Sequence, residues 1–141
     1  MTRIALGICV AVLVAGCVSK PVNPIAGLSN EEKAALKAKT EVPAGFSTIQ
    51  FKDFGETKRY AALAGLIHKT WGEECKPISA TGGLYNGNGS SVWRVRCDGG
   101  NAFEDYSVAL PERADGNAVV LQCYEQSARN YVCSPLGRPA Q

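Results

Sequence analysis

The chain has 141 residues, of which 15 are basic and 13 acidic, so its formal charge at pH 7 is only +2. A protein that binds nucleic acid usually presents a strongly basic face, and this near balance of charge argues against that class. The length favours one small domain, and 15 glycines with 7 prolines indicate a chain rich in turns.

The N-terminus has the pattern of a bacterial export signal. Arg3 supplies a positive charge, and residues 4–14 form an uncharged apolar run that is too short to span a bilayer as a permanent helix. The end of this run and the three residues after it, Leu-Val-Ala-Gly-Cys at 13–17, resemble the lipobox of bacterial lipoproteins. That resemblance implies removal of residues 1–16 and attachment of lipid to Cys17; the alternative is an ordinary secretory signal that happens to contain a cysteine.

The lipobox also implies where the protein works. Several acyl chains on one residue exceed what stable membrane attachment needs. Val18 stands where, in the enterobacterial pattern, an aspartate would retain the protein at the inner membrane, so the resemblance implies the outer membrane. We expect residues 17–27, which contain Pro21 and Pro24, to be a lipid anchor and tether, and residues 28–141 to form a single periplasmic domain.

The first element predicted after the tether is a short helix. Ser29 and Glu32 have the spacing of a capping box, and the helix is expected to continue to about Lys39, before Pro43. The next segment, residues 46–52, is rich in β-branched and aromatic residues. That composition predicts a short strand.

The main helix is predicted over residues 56–72. Asp53 and Glu56 repeat the capping-box spacing at its start. Five residues recur at helical spacing and are expected to form the apolar face that packs on the core: Tyr60, Leu63, Ala64, Ile67 and Trp71.

The second half of the chain predicts an antiparallel sheet. Turn-forming segments rich in glycine and asparagine separate four expected strands, at residues 78–85, 91–97, 102–110 and 117–123. Alternation gives each later strand one apolar face: Trp93, Val95 and Cys97; Tyr106, Val108 and Leu110; Val119, Leu121 and Cys123. The expected fold is α+β, with one main helix packed on a four- to five-stranded antiparallel meander.

The cysteine count predicts disulfides. Of the 6 cysteines, the lipobox resemblance implies that Cys9 leaves with the signal and that Cys17 carries the lipid. An even number remains in an exported protein, which predicts two disulfides with three possible connectivities among Cys75, Cys97, Cys123 and Cys133.

Hairpin geometry favours one of these connectivities. Folding the chain about Asn86 places Cys75 opposite Cys97, and folding it about Ala128 places Cys123 opposite Cys133. The pairs Cys75–Cys97 and Cys123–Cys133 are therefore predicted, and a Cys97–Cys123 bond is the alternative. Each disulfide is expected to stabilise the domain by roughly 2–4 kcal/mol.

The residues that could form a catalytic or metal site are few. His68 is the only histidine and lies beside the apolar face of the main helix, where partial packing is expected. A zinc site built from His68, Cys75 and two further cysteines would lack the closely spaced ligand pairs that such sites use. A redox centre would want a Cys-x-x-Cys motif, which the chain does not contain. We expect no cofactor, no metal and no catalytic residue.

Charged residues on the predicted strands offer a binding face. Arg94 and Arg96 point the same way from one strand and could meet a lipid headgroup, a carboxylate-bearing partner or peptidoglycan peptides. Asp98, Glu104 and Asp105 surround one turn, and we expect them to be a solvated edge, since the adjacent Glu104 and Asp105 point to opposite faces and cannot act as a pair of glycosidase carboxylates. Three tyrosines near turns are further candidates for a rim around that face: Tyr85, Tyr124 and Tyr131.

A short segment offers an alternative function. Ser-Ala-Arg-Asn-Tyr at residues 127–131 resembles the Ser-Gly-x-x-Tyr motif of periplasmic lysozyme inhibitors, which are also small disulfide-bearing lipoproteins. Ala128 replaces the glycine, and a helix before the sheet is foreign to their β-barrel. The leading expectation is a non-catalytic accessory lipoprotein that binds another envelope component, such as an envelope protein, in an assembly or structural role. The alternative is a peptidoglycan-active hydrolase or an inhibitor of a lytic enzyme.

Overall fold

The structure is a computed structural model that describes residues 25–85, 89–98, 105–127 and 130–137, with backbone only at 84, 85, 126, 127 and 130. The expected signal, the Cys17 anchor and most of the tether lie outside these residues, as does Glu104. Three helices are described: α1 (Asn30–Thr40), α2 (Thr48–Lys52) and α3 (Glu56–Trp71).

The described strands form one antiparallel sheet. They are β1 (Glu41–Pro43), β2 (Pro77–Tyr85), β3 (Ser90–Cys97), β4 (Asp105–Leu110), β5 (Asn117–Ser127) and β6 (Asn130–Ser134). The order across the sheet is β1-β5-β4-β3-β2, and β6 also pairs with β5. Because β5 has 11 residues, its outer edge pairs with β1 near its start and with β6 near its end. The prediction of an α+β fold built on an antiparallel meander is confirmed.

The two helices predicted from the sequence are present. Ser29 and Glu32 form the expected capping box at the start of α1. The second predicted capping box is wrong: α3 begins after Gly55 with no side-chain cap, and Asp53 instead ends α2. Gly72 ends α3 in the left-handed conformation that glycine adopts without strain.

The strand predicted over residues 46–52 is wrong. Ser47 and Gln50 form a capping box there, in which each side chain accepts a hydrogen bond from the backbone N–H of the other residue, so the segment begins a short helix instead of a strand. Phe51 is buried by packing against the sheet, with its ring 5.0 Å from that of Trp93, while Phe46 is partly buried and stacks on Phe51. The Thr48 and Ser91 hydroxyls, both buried, are hydrogen-bonded at 2.9 Å.

The hydrophobic core lies between α3 and one face of the sheet, which we call the covered face. From the helix it takes Leu63, Leu66 and Ile67, and the Trp71 indole N–H donates to the Val120 carbonyl oxygen. From the sheet it takes Trp93, Val95, Cys97, Tyr106, Val108, Leu110, Ala118 and Val120. The expected faces of β3 and β4 are therefore confirmed.

The covered face of β5 differs from the expectation. Ala118, Val120 and Gln122 are buried there, whereas Val119 and Leu121 point to the other side of the sheet and are only partly buried. Register explains the difference, because Val120 pairs with Val108 of the covered face. Every residue of β5 from 118 to 121 is apolar, so alternation alone did not identify the buried set.

A close approach of two strands requires glycine in β2. A Cβ atom added at Gly82 would lie 2.3 Å from the Val92 carbonyl oxygen and 2.9 Å from atoms of Trp93. The backbone of β2 therefore runs directly beside Trp93, and a larger residue would push the two strands apart.

Both predicted disulfides are present. Cys75–Cys97 has its sulfur atoms 2.05 Å apart and ties the segment after α3 to the end of β3. Cys123–Cys133 has its sulfur atoms 2.09 Å apart and joins β5 to β6. In the part of the chain that the structure describes, no helix has the length and apolar character needed to cross a membrane.

Candidate functional site

The side of the sheet that faces away from α3 carries the candidate site, and we call it the open face. Arg94 and Arg96 project from β3 on this side, each about half exposed, and the expectation that they point the same way is confirmed. Strand register places Arg94 beside Ser107 and Arg96 beside Asp105 of β4. Asp105 in turn pairs with Cys123 of β5.

A cluster of four polar side chains forms on this face around Asp105. Arg94 Nη2 donates to Asp105 Oδ2 at 2.9 Å, and Arg96 Nε donates to Oδ1 at 3.3 Å. The Tyr131 hydroxyl, from β6, also donates to Oδ2. The Arg94 guanidinium carbon lies 3.8 Å from the centre of the Tyr131 ring, which is a stacked cation–π geometry. We call these residues the Arg–Asp–Tyr cluster.

The expectation that Asp105 belongs to a solvated edge is wrong. Its side chain is 2% exposed, because the flanking arginines and Tyr131 cover it. A buried carboxylate needs partners that compensate for the loss of water, and three donors provide them here. Asp98, by contrast, is exposed, as expected.

The electrostatics of the cluster keep Asp105 ionised. Burial alone would raise the pKa of Asp105, but the hydrogen bonds from Tyr131 and Arg94, with the charges of both arginines, outweigh it and hold the pKa below its usual value. Burial, and then the hydrogen bond to Asp105, raise the pKa of Tyr131 to about 12. The hydrogen bond to Asp105 also raises the pKa of Arg94.

These pKa shifts limit what the cluster can do chemically. A carboxylate with a lowered pKa is a weak base and holds no proton to donate near neutral pH, so Asp105 is poorly suited to general acid catalysis. The arginines remain charged and keep part of their surface in solvent. The arrangement is suited to binding an anion rather than to proton transfer.

Apolar side chains lie next to the cluster on the open face. Val92, Ala109 and Val119 are aligned across three strands, and each is partly buried. Leu121, also partly buried, is aligned with Ser107, next to Arg94. The open face therefore has an apolar half, with Glu41 opposite Val119 at its edge, and a charged half, in which the exposed Glu125 pairs with Tyr131 beside the Arg–Asp–Tyr cluster.

The other candidate residues from the sequence lie away from the open face. His68 Nδ1 is 3.1 Å from Glu74 Oε1 near the end of α3, and both side chains are largely exposed. Tyr60 and Ala64, expected in the core, instead line a surface groove of about 370 Å³ beside Cys75 and Pro77. Of the three candidate tyrosines, only Tyr131 joins the cluster among those whose side chains are described; Tyr124 lies on the opposite side of the sheet from Tyr131, and the side chain of Tyr85 is outside the described set.

Sequence reasoning identified the two arginines, and Tyr131 as a candidate for the rim around them, but it did not identify the role of Asp105. The sequence predicts a solvated edge for Asp105 with Asp98 and Glu104, and does not predict the contacts of Asp105 with Tyr131 and the arginines. The signal that would have found them is register: with the Cys123–Cys133 hairpin in place, Asp105 and Tyr131 fall on the same face as Arg94.

Comparisons of the chain with protein-family models, with functionally curated proteins and with solved structures found no match. Within the described residues, no three or more histidine, cysteine, aspartate or glutamate side chains are grouped so that they would hold a metal ion.

Proposed function

We propose that the protein is a non-catalytic accessory lipoprotein of the bacterial outer membrane. In this proposal residues 1–16 are an export signal and Cys17 carries the lipid. The folded domain lies in the periplasm and binds another envelope component through the open face, in an assembly or structural role. The lipobox pattern supports the anchor, and the open face supports the binding role.

The observation that carries the binding role is that the two arginines on the open face are exposed to solvent and yet held in fixed positions. Half-exposed arginines are held in place by a buried carboxylate and a stacked tyrosine ring, so their conformations are restricted before any partner arrives. Groups ordered in advance lose less conformational entropy on binding. The adjacent apolar side chains of Val92, Val119 and Leu121 are partly exposed and would contribute further when a partner covers them.

The framework behind this face is rigid. Asp105 pairs with Cys123, and Cys123 is bonded to Cys133 on β6, the strand that also carries Tyr131. The disulfide therefore joins β6, which carries Tyr131, to β5, the strand that pairs with Asp105. An oxidised framework of this kind fits a protein that works outside the cytoplasm.

The anchor is tested by mass spectrometry of the mature protein. We expect the N-terminal fragment to begin at Cys17 and to carry the added mass of lipid, and a Cys17→Ser variant to lack both. An unlipidated wild-type fragment that begins at another residue would contradict the lipoprotein assignment.

The binding role is tested by crosslinking in intact cells, capture of the tagged protein and identification of what it carries. Ala109→Arg places a bulky group on the open face and should abolish the specific adduct. Ala35→Arg is the matched control, because Ala35 is exposed on α1. Cys17→Ser separates neighbours that depend on the anchor from the rest.

The outcomes of that experiment separate the classes of function. An envelope protein lost with Ala109→Arg and kept with Ala35→Arg supports the accessory role. Capture of only lipid and peptidoglycan fragments would reject a protein partner and favour the peptidoglycan-active hydrolase alternative, whereas capture of a lytic enzyme would favour the inhibitor alternative. A wall-degrading activity that disappears with His68→Ala would contradict the non-catalytic assignment.

A further inference from the structure

We propose that Arg94 and Arg96 form a binding site for a carboxylate on an acidic segment of a partner protein, with Asp105 as the residue that positions them. This inference rests on the proposed function, because it names the chemistry of a partner for the open face. It is carried by the charge balance of the Arg–Asp–Tyr cluster and by the apolar side chains beside it.

The cluster has two cations for one anion. Asp105 is the carboxylate that both arginines contact, and Glu125, exposed on the same face opposite Tyr131, forms no ion pair with either arginine in the described part of the structure, so one positive charge is left without a direct counterpart. A guanidinium has five N–H donors, and each arginine reaches Asp105 through one nitrogen atom. The remaining donors lie on side chains that are 51% and 53% exposed. A second carboxylate would balance the charge and accept these donors in the two-point geometry that guanidinium groups favour.

Asp105 gives the arginines their orientation. Its carboxylate receives Arg94 on one oxygen and Arg96 on the other, which keeps two like charges side by side at the cost of their mutual repulsion. The Tyr131 ring supports Arg94 from one side. Without Asp105 the two guanidinium groups would repel each other and move apart.

The apolar half of the open face favours a protein segment as the source of the carboxylate. Val92 lies two residues from Arg94 along β3, roughly 7 Å away, and Leu121 lies in the same row as Arg94 but two strands away, roughly 10 Å across the sheet. An extended peptide presents residues i and i+2 on one side at about the same spacing. A segment with a glutamate and a leucine two residues apart would therefore contact both halves at once, whereas a lipid phosphate or a glycan strand would leave the apolar half uncovered.

The test titrates the full-length lipidated protein, held in nonionic detergent, with short peptides. The probe is Ac-Glu-Ala-Leu-Ala-NH2, and the matched peptides are Ac-Gln-Ala-Leu-Ala-NH2 and Ac-Glu-Ala-Ser-Ala-NH2. NMR signals of the Arg94 and Arg96 Nε–H groups report binding at the site. We expect saturable shifts in the millimolar range, about tenfold weaker binding when glutamate becomes glutamine, and a smaller loss when leucine becomes serine.

The role of the two guanidinium groups is tested with variants in which the positive charge is retained. The double variant Arg94→Lys with Arg96→Lys preserves the ion pairs with Asp105 but removes the planar pair of donors on each side chain. We expect this variant to bind the glutamate peptide about tenfold more weakly. Arg113→Lys is the matched control, because Arg113 pairs with Asp115 at 3.1 Å on an exposed turn. Equal binding by the double variant and the control would overturn recognition by the arginines.

The role of Asp105 is tested separately. Asp105→Asn should broaden or shift the Nε–H signals of Arg94 and Arg96 in the free protein and weaken binding of the glutamate peptide. Tyr131→Phe keeps the ring but loses the hydroxyl, and should produce smaller changes in both the signals and the binding. Unchanged Arg94 and Arg96 signals in folded Asp105→Asn would overturn the positioning role.

The results also separate this inference from the proposed function. Tighter binding of inorganic phosphate or of phosphatidylglycerol vesicles than of the glutamate peptide would reject the carboxylate site in favour of a phosphate ligand. If no peptide binds but crosslinking in cells still gives an adduct that is lost with Ala109→Arg, the accessory role stands. Only the inference that the arginines bind a carboxylate is then rejected.

Discussion

The two faces of the sheet are stabilised by different physical interactions. The covered face is mainly apolar, although it also buries Gln122: Val95, Val108 and Val120 are fully buried beneath α3. The open face instead buries Asp105, a charged residue, and leaves its two arginine partners half in solvent. Burial of apolar area holds the first face together, whereas a hydrogen-bonded ion cluster holds the second.

This difference separates the part of the molecule that makes it fold from the part available for binding. Apolar packing is non-directional and depends on excluding water, so the covered face cannot change its partners without unfolding. An ion cluster at the surface keeps unused donors and some exposure, so it can accept a further anion with the fold intact. The same alternation along β3 supplies both, with Val95 on one side and Arg94 and Arg96 on the other.

The largest expected effect is the loss of a disulfide. Replacing Cys75 and Cys97 by alanine should lower the free energy of unfolding by about 3 kcal/mol, and replacing Cys123 and Cys133 by slightly less, since the loop-closure entropy grows with the 22- and 10-residue separations. Urea unfolding of each variant measures this. Replacing Cys123 and Cys133 should also shift the NMR signals of Arg94 and Tyr131, because this disulfide lies on the open face. Equal shifts of these signals in both double variants would contradict the conclusion that the two faces are stabilised separately.

A matched pair of valines compares the two faces within one strand. Val120→Ala should cost about 1.5–3 kcal/mol, because it leaves a cavity in the covered face, while Val119→Ala should cost less than about 1 kcal/mol. The strand propensity lost is the same in both, so the difference in urea midpoint reports packing alone. Equal losses would mean that the open face is as tightly packed as the covered one.

The buried carboxylate makes the open face sensitive to acid. Asp105→Asn should cost about 1–2 kcal/mol at pH 7, through lost charge-assisted hydrogen bonds. Because the folded pKa of Asp105 lies below its usual value, its contribution is present above about pH 4 and is lost as pH falls through the folded pKa. Unfolding free energy measured from pH 7 to pH 2 should therefore decline less in Asp105→Asn than in the wild type. Parallel curves would contradict the assigned pKa shift.

The smallest expected effect concerns Tyr131 at high pH. Its pKa of about 12 exceeds the ordinary value of 10.0, so its contribution to stability is complete below pH 10 and is lost as pH rises through 12. Rapid-mixing ultraviolet titration of the wild type and of Tyr131→Phe should differ by one tyrosine that ionises late. In Asp105→Asn the same component should move to lower pH, because the neighbouring negative charge is gone. A difference between the wild type and Tyr131→Phe that contains no late-ionising tyrosine would contradict the raised pKa of Tyr131.

Much of the fold was predictable because local signals were strong. The capping box at Ser29, the apolar spacing of Leu63 and Ile67, and the alternation around Trp93 each specify an element from adjacent residues. The disulfides followed from hairpin symmetry. The segment 46–52 was assigned wrongly because its aromatic residues suit a strand as well as a helix, and the Ser47 capping box decided between them.

The candidate site was only half predictable. Arg94 and Arg96 share a face because strand side chains alternate, and sequence by itself determined that. Asp105 lies 9 residues from Arg96 in the chain, and Tyr131 lies 26 residues from Asp105. These residues are on different strands, and strand register alone brings them together. Register depends on which face of every neighbouring strand is buried, a property of the whole sheet. Only the tertiary structure therefore decided that a carboxylate expected in water would instead be the buried centre of the open face.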